Sequence, residues 1–431
     1  MPELTIGEIN DSSPLNTGGR EDVQKFERKL LKEILSFASK KRFIYAVDGL
    51  RRVGKTVLLK QIGNRMQAAG KSVFYFSFDS KAHQNPMALE QILKHFLGKD
   101  RAGTIILDEI GKIDDWGGIL KKYYDRTDAS FFISSSAALH ISKGKESLAG
   151  RMLNYTLPPM GFDEHLAMCG WAEKPGIFEF SRPEITTGNL AHLEGFLSKG
   201  SYPELAAVDD AAAIKKYVRN STVEKMIFED IASIFPVAHP SKLLEIFDYL
   251  ANYSGDFIHE NTISSAIGMS APTVGDYITY IEQSHLARRV YTDANYAIMI
   301  RKMKKAYVAS ASIYSNCTSQ FSRGKLVETA VFEKLAPFSP RVYFDAQKRE
   351  VDFIVGGKAG GIAVEVKSGE NVSASDVPGL IYYMRKNNLK DGFVVYNGPY
   401  DIIEKDGRTV HLLPLSTFLA ADEIILGNEG N

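Results

Sequence analysis

Gly49-Leu50-Arg51-Arg52-Val53-Gly54-Lys55-Thr56 meets the template G-x-x-x-x-G-K-[ST] at every fixed position. An apolar run, Phe43–Val47, leads into it, and Val57–Ile62 leads out with helical spacing. Glycines between a buried strand and a helix let the backbone curl so that successive N–H groups converge on phosphate oxygens. Lys55 then reaches the outer phosphates and the Thr56 hydroxyl ligates Mg²⁺, while Leu50, Arg51, Arg52, Val53 and Val57 complete the cradle. The flanking strand and helix separate this stretch from a glycine-containing surface turn. It is expected to bind a nucleoside triphosphate.

Outward from the loop, strand and helix signals alternate. Val23, Phe26, Leu30, Ile34 and Leu35 predict an amphipathic helix ahead of it. Strands are expected at Phe43–Val47, Val73–Phe78, Thr104–Leu107, Phe131–Ser134 and Tyr155–Leu157. Asn85 caps a helix reaching Gly98, with Pro86 in its first turn and Leu89, Ile92, Leu93 and Phe96 on one face. This alternation predicts an α/β domain, a parallel sheet covered by helices on both faces.

The run Thr104–Leu107 ends in Asp108-Glu109, at the carboxyl edge where doubly wound sheets bind ligands. Asp108 is expected to hold Mg²⁺ through its water shell and Glu109 to polarise the attacking water, which points to hydrolysis. Ser134-Ser135-Ser136 reads either as a sensor of the γ-phosphate, with Ser135 the candidate, or as a serine-rich turn. Arg151 reads either as an arginine supplied to the transferring phosphate, in cis or from a neighbouring subunit, or as a plain surface arginine.

Four stretches in the same order resemble the prokaryotic predicted AAA-type ATPases over about residues 25–370. They are residues 49–56, Leu-Asp-Glu-Ile-Gly-Lys-Ile-Asp-Asp-Trp (107–116), Ser-Leu-Ala-Gly-Arg (147–151) and Gly-Ser-Tyr-Pro-Glu (200–204). The resemblance implies an AAA-type core with that superfamily's strand order, ATP as the nucleotide, a C-terminal domain of uncharacterised function and a tendency to homo-oligomerise. Gly111 and Ser134 depart from the family pattern, which more often has Gln and Gly there.

Residues 161–240 lack strand alternation, and Asn189–Leu197 and Ala211–Phe235 carry helical spacing, as a lid would. Thr262–Ile267, the Gly268 turn, the Ser270 cap and the face Val274, Tyr277, Ile278 and Ile281 predict a winged helix-turn-helix closed by Leu286–Tyr291. Two readings stay open for its second helix. It enters a DNA groove through Thr273, Asp276 and Thr279, or it packs against protein, since Asp276 and Glu282 bring no cation to that face. The run Arg301-Lys302-Met303-Lys304-Lys305 reads as a phosphate contact or as a solvated face.

Arg349–Val355 and Gly361–Lys367 predict a hairpin carrying Asp352, Glu365 and Lys367, preceded by a helix, Leu326–Leu335, with Glu328. Two carboxylates on neighbouring strands with a lysine resemble the PD-(D/E)XK nuclease fold, which implies a second Mg²⁺ or Mn²⁺ at Asp352 and Glu365, helped by Glu328 and Lys367. An E-x-K on an exposed strand edge is the bland alternative, and such folds are also reused without catalysis.

At 431 residues the chain exceeds one ordinary core, and 52 basic against 52 acidic residues exclude a globally basic nucleic-acid binder. The expected organisation is a flexible lead-in (1–22), a P-loop AAA-type ATPase domain (23–160), a helical lid (161–240), a winged helix (241–300) and a restriction-endonuclease-like α/β module (301–431). With two cysteines, no basic-then-apolar leader pattern and no apolar run near the roughly 18 residues of a membrane span, a cytoplasmic protein is expected. Two functions follow: an ATPase coupled to nucleic-acid binding or cleavage, or an ATP-gated switch or scaffold whose winged helix and inactive nuclease-like domain bind a protein partner.

Overall fold

The computed structural model describes residues 4–136, 147–171, 177–179, 190–292, 304–338, 342–345, 350–356, 361–421 and 423–425. Two compact units emerge. The first comprises Met1–Pro158 with Glu229–Pro236 and Gln283–His285, and the second Pro159–Phe228, Val237–Glu282 and Leu286–Asn431.

The first unit is built on a parallel sheet of β1 (Ile44–Asp48), β2 (Val73–Ser77), β3 (Thr104–Asp108), β4 (Ser130–Ser134) and β5 (Met152–Thr156), ordered β2-β3-β4-β1-β5. Strand residues alternate between two covered faces. Ile105 and Leu107 join Leu89, Ile92, Leu93 and Phe96 of helix Pro86–Lys99 in one core. Ile106 points to the other face, where a Cβ on Gly63 of helix Lys55–Ala68 would meet its Cδ1 at 3.1 Å. β4 lies between β1 and β3, so the carboxyl ends of β1, β4 and β3 stand side by side.

Residues 4–22 correct the expectation of a loose lead-in. Thr5 and Glu8 form a capping box that starts helix Ile6–Asp11, and Leu4, Ile9 and Leu15 are buried. Asn16 stands in for a missing neighbour strand at the sheet edge. Its Oδ1 accepts from Tyr75 N at 2.7 Å and its Nδ2 donates to Tyr75 O at 3.0 Å and Ile9 O at 2.9 Å. The polar side chains of this stretch cap its helices and bond to the edge strand β2. The following helix begins at Lys29, later than the periodicity from Val23 predicts, because Arg28 is extended and its guanidinium donates to Val53 O at 2.8 Å and Pro158 O at 2.9 Å.

The second unit holds β6 (Ile177–Glu179), which breaks the expected strand-free stretch 161–240, and helices through Leu190–Gly200 and Ala211–Glu224. Among the described residues its main sheet has nine strands: β7 (Phe257–Ile258), β8 (Ala287–Thr292), β9 (Lys304–Val308), β10 (Val342–Asp345), β11 (Val351–Val355), β12 (Ile362–Val366), β13 (Asp391–Tyr396), β14 (Asp401–Lys405) and β15 (Arg408–Pro414). The order is β14-β15-β13-β12-β11-β10-β8-β9-β7, and β16 (Glu423–Ile425) pairs with β6 in a separate ladder. Helices Pro240–Asn252, Glu260–Ile267 and Ala271–Gln283 precede β8, with Gly268 left-handed at φ 72° in the turn between the last two. Helix Arg323–Leu335, antiparallel β10-β11-β12, helix Pro378–Lys386 and β13 parallel to β12 follow in order. Because β9 pairs with β8 and β8 with β10, hydrogen bonding runs through the expected boundary at 300/301.

Candidate functional site

At the end of β1 the chain turns through three left-handed residues: Gly49 at φ 141°, Arg52 at 70° and Gly54 at 100°. A Cβ at Gly49 would lie 2.3 Å from Leu157 O, so only glycine passes there, whereas the space before Gly54 is open to 4 Å. Leu50 and Val53 are buried anchors, and the Arg28 bond to Val53 O fastens the turn from behind. Gly54 then opens helix Lys55–Ala68, aiming its first N–H groups into the concavity.

Lys55 is buried and donates to Gly49 O at 2.9 Å and Leu50 O at 3.1 Å. Burial lowers its pKa, against the pull of Glu109 and Asp108. Thr56 Oγ1 donates to Asp108 Oδ2 at 2.7 Å, joining the two residues expected to share Mg²⁺. Tyr75 OH donates to the same oxygen at 2.9 Å, and Ser134 Oγ donates to Asp108 Oδ1. Burial pushes the Asp108 carboxyl up and Glu109 adds to it, while the hydroxyls of Ser134, Thr56 and Tyr75 pull back.

Glu109 sits left-handed at φ 57°, and its carboxylate accepts from Ser136 Oγ at 2.5 Å and Ser136 N at 3.2 Å. The serine run therefore serves the acid pair through Ser134 and Ser136. Ser135 is buried, with its N–H donating to Val47 O at 3.1 Å. Strand order explains this: β4 lies between the loop strand and the acid strand.

Arg151 is not at this edge. It precedes β5, its carbonyl accepts from Ile44 N at the amino end of β1, and its guanidinium pairs with Asp125 at 2.7 Å. Five-residue strands of about 3.3 Å per residue separate it from the loop, so it has no role there in cis. Arg51 is instead held by Asp230, through Nε at 3.1 Å and Nη2 at 3.0 Å, with Glu229 at 3.3 Å. Burial works against its charge and these acids outweigh it. Arg52 carries the turn's second left-handed φ, and Val57 lies exposed in the first helical turn.

The second constellation does come together. Glu365 lies across the β11–β12 ladder from Asp352, whose Oδ2 accepts from Val366 N at 2.8 Å, and Lys367 Nζ donates to Glu365 Oε1 at 2.8 Å. Glu328 accepts from Tyr307 OH at 2.6 Å. Sequence reasoning missed the group at the centre. Lys305 on β9 is 3% exposed, pairs with Glu350, and lies 3.3 Å from Glu328 Oε1 and 3.8 Å from Asp352 Oδ1. Burial pushes Glu328 up to about 7 and Glu365 up to about 8, each helped by Asp352. Among the described residues no group of three or more His, Cys, Asp or Glu is arranged to hold a metal ion, so the carboxylates as placed do not fit the expected second cation.

Residues 301–303 of the cationic run lie outside the described residues, and Lys304 faces Glu260 at 3.7 Å. On helix Ala271–Gln283, Asp276 is exposed and Thr273 bonds the Ser270 cap, while Arg289 engages Thr279 at 3.1 Å and Glu282 at 2.6 Å. Arg288 is directed to Ala336 O at 3.2 Å.

Comparison with known proteins fits the first unit. Residues 41–166 match the family model described as an AAA domain, so this part of the chain is similar to AAA-type P-loop domains. Residues 190–323 and 323–418 match two models described as domains of unknown function, DUF8612 and DUF4143. Among curated proteins, the uncharacterized protein MJ1544 of Methanocaldococcus jannaschii is 23% identical over 338 residues, 76% of this chain and 74% of that one. The uncharacterized protein MJ1637 of the same organism is 24% identical over 66% of this chain and 64% of its own, and an uncharacterized protein of Haemophilus influenzae is 22% identical over 57% and 61%. Solved structures with partial likeness include AMPPCP-bound DnaA from Aquifex aeolicus (TM-score 0.27, 15% identity, 59% of this chain and 86% of that one). Cdc6p from Pyrobaculum aerophilum is another (TM-score 0.28, 10% identity, 70% and 95%). No helix among the described residues is long and apolar enough to cross a membrane.

Proposed function

We propose that the chain is a Mg²⁺-dependent ATP hydrolase working as an ATP-operated switch. The observation that carries this reading is the 2.7 Å bond from Thr56 to Asp108, which sets a metal-binding hydroxyl and carboxylate beside Lys55 and the Gly49–Gly54 turn. The turn's N–H groups and Lys55 grip the triphosphate. Thr56 and Asp108 hold Mg²⁺, which supplies charge neutralisation of the phosphates, and Glu109, steadied by Ser136, orients and deprotonates water.

The partner is read as protein. Helix Ala271–Gln283 of the winged-helix-like segment carries no Lys or Arg to offer a DNA groove, and in the following β8 Arg288 bonds Ala336 O while Arg289 is committed to Thr279 and Glu282. Helix, three antiparallel strands, helix and parallel strand support a nuclease-like α/β module in the second unit.

Steady-state phosphate release by the purified protein, with and without duplex or single-stranded DNA, tests both levels. Magnesium-dependent turnover that DNA leaves unchanged is expected, and Lys55→Ala should abolish it. Turnover persisting in Lys55→Ala refutes the site. Stimulation by DNA replaces the switch with a nucleic-acid motor or gate.

A further inference from the structure

The resemblance of the second unit to metal-dependent nucleases places a divalent cation among Glu328, Asp352 and Glu365. The side chains there say otherwise. Lys305 projects from β9 into the middle of this group, and with only 3% of its side chain exposed it has no route to water. Its ammonium is 3.3 Å from Glu328 Oε1 and 3.8 Å from Asp352 Oδ1 and pairs with Glu350. Neighbours also engage Asp352 Oδ2 (Val366 N), Glu328 Oε1 (Tyr307 as well as Lys305) and Glu365 Oε1 (Lys367), while Glu365 Oε2 is buried without a hydrogen-bond partner.

We propose that Lys305 is the resident cation of this module, standing where a divalent ion would have to sit, so that the module operates without a bound metal. A divalent ion needs several oxygens converging at about 2.0–2.6 Å with no competing charge between them. An ammonium fixed on a strand meets Glu328 at hydrogen-bond distance and Asp352 at ion-pair distance, and its removal strands these two largely buried acids. The placement is durable because β9 is an interior strand, laddered to β8 on one side and β7 on the other. The acids thus become structural mortar between β9, β11 and helix Arg323–Leu335. A nuclease-like frame of this kind is suited to holding a partner and unsuited to cutting a phosphodiester by metal-activated water.

Manganese binding tests this independently of ATP turnover. Nucleotide-free, full-length protein carrying Asp108→Asn, which silences the first site, is titrated with Mn²⁺ and free ion is read by electron paramagnetic resonance. With Lys305 in place, no site should appear that Asp352→Asn removes. Lys305→Met should gain a site at least about tenfold tighter than anything in its parent, because one positive charge leaves the oxygen cluster, and Asp352→Asn added to it should abolish that site. Circular dichroism melts establish that each variant folds. If Lys305→Met does not fold, Lys305→Gln takes its place, and the titration of the protein that retains Lys305 decides on its own. Mn²⁺ bound by that protein and lost with Asp352→Asn overturns the proposal, as does a folded Lys305 variant that binds no more metal than its parent.

Discussion

Replacing Glu109 by glutamine separates gripping the nucleotide from breaking it. Glutamine keeps the shape and most of the local bonding. Its carbonyl can accept the Ser136 N–H that now lies 3.2 Å away, and the Ser136 hydroxyl, 2.5 Å from the other oxygen, can turn to accept from the amide. The lost charge was one of two influences raising the buried Asp108, so its removal favours the folded state by something on the order of 1 kcal/mol. The nucleotide-free variant should therefore be no less stable than its parent. The chemical step is another matter. A positioned base contributes about 10²–10⁴ in rate, or roughly 2.7–5.5 kcal/mol of barrier, and an amide cannot take the proton. Phosphate release at saturating Mg·ATP should fall by that factor while equilibrium binding of ATP stays within about threefold of the parent. Hydrolysis at the parental rate would show that Glu109 is not the base, and simultaneous loss of binding would assign it to the grip.

Other outcomes follow from particular contacts. Asp230→Asn removes the charge that holds Arg51 and opposes an incoming triphosphate near Lys55. The nucleotide-free protein should lose about 2–4 kcal/mol in denaturant unfolding, while ATP binds several-fold more tightly in a titration. Asn16→Ala leaves Tyr75 N without a partner at the sheet edge and Tyr75 O with only the 3.4 Å bond from Ser12 Oγ, and should cost about 1–3 kcal/mol by the same unfolding measurement. Glu333 is partly buried, and desolvation pushes it up to about 8 against the Ala311 N–H and the Ser201 hydroxyl. Its folded form holds the proton more tightly than the unfolded chain, so stability is greatest below the ordinary value of 4.5 and falls as pH climbs from there through about 8. Glu333→Gln should flatten that slope by up to roughly 3–5 kcal/mol, read from melts at pH 5 and pH 9.

How much the sequence discloses depends on how local the cause is. The loop Gly49–Thr56 and the strand ending in Asp108-Glu109 are legible because turn chemistry, strand patterning and function share a few consecutive residues. Asp230 is 179 positions from Arg51, and nothing near either residue announces the pair. Arg28 has the same character, since its value lies in two carbonyls that only the folded sheet brings within reach. Arg151 misleads in the opposite way. It follows a motif in order, but strand direction delivers it to the amino edge. Lys305 reads as one charge in a basic run. The alternation of Lys305 with Tyr307 on one strand was a signal that both point inward, and burial among acids needs β11 and helix Arg323–Leu335 to be in place. Ser134 and Ser136 show the finer limit: the run was visible, but which hydroxyl meets which acid is decided by a strand inserted between β1 and β3.

The continuous ladder from β7 to β15 has a practical consequence for anyone dividing this chain. A fragment stopped at residue 300 lacks β9, so β7 loses its ladder partner and β8 its antiparallel neighbour; one started at residue 301 keeps β9 with neither companion. Each fragment would present raw peptide edges and apolar surface to its own copies. Clumping during expression is the expected fate of both, and soluble pieces should come only from cuts that leave 257–308 intact.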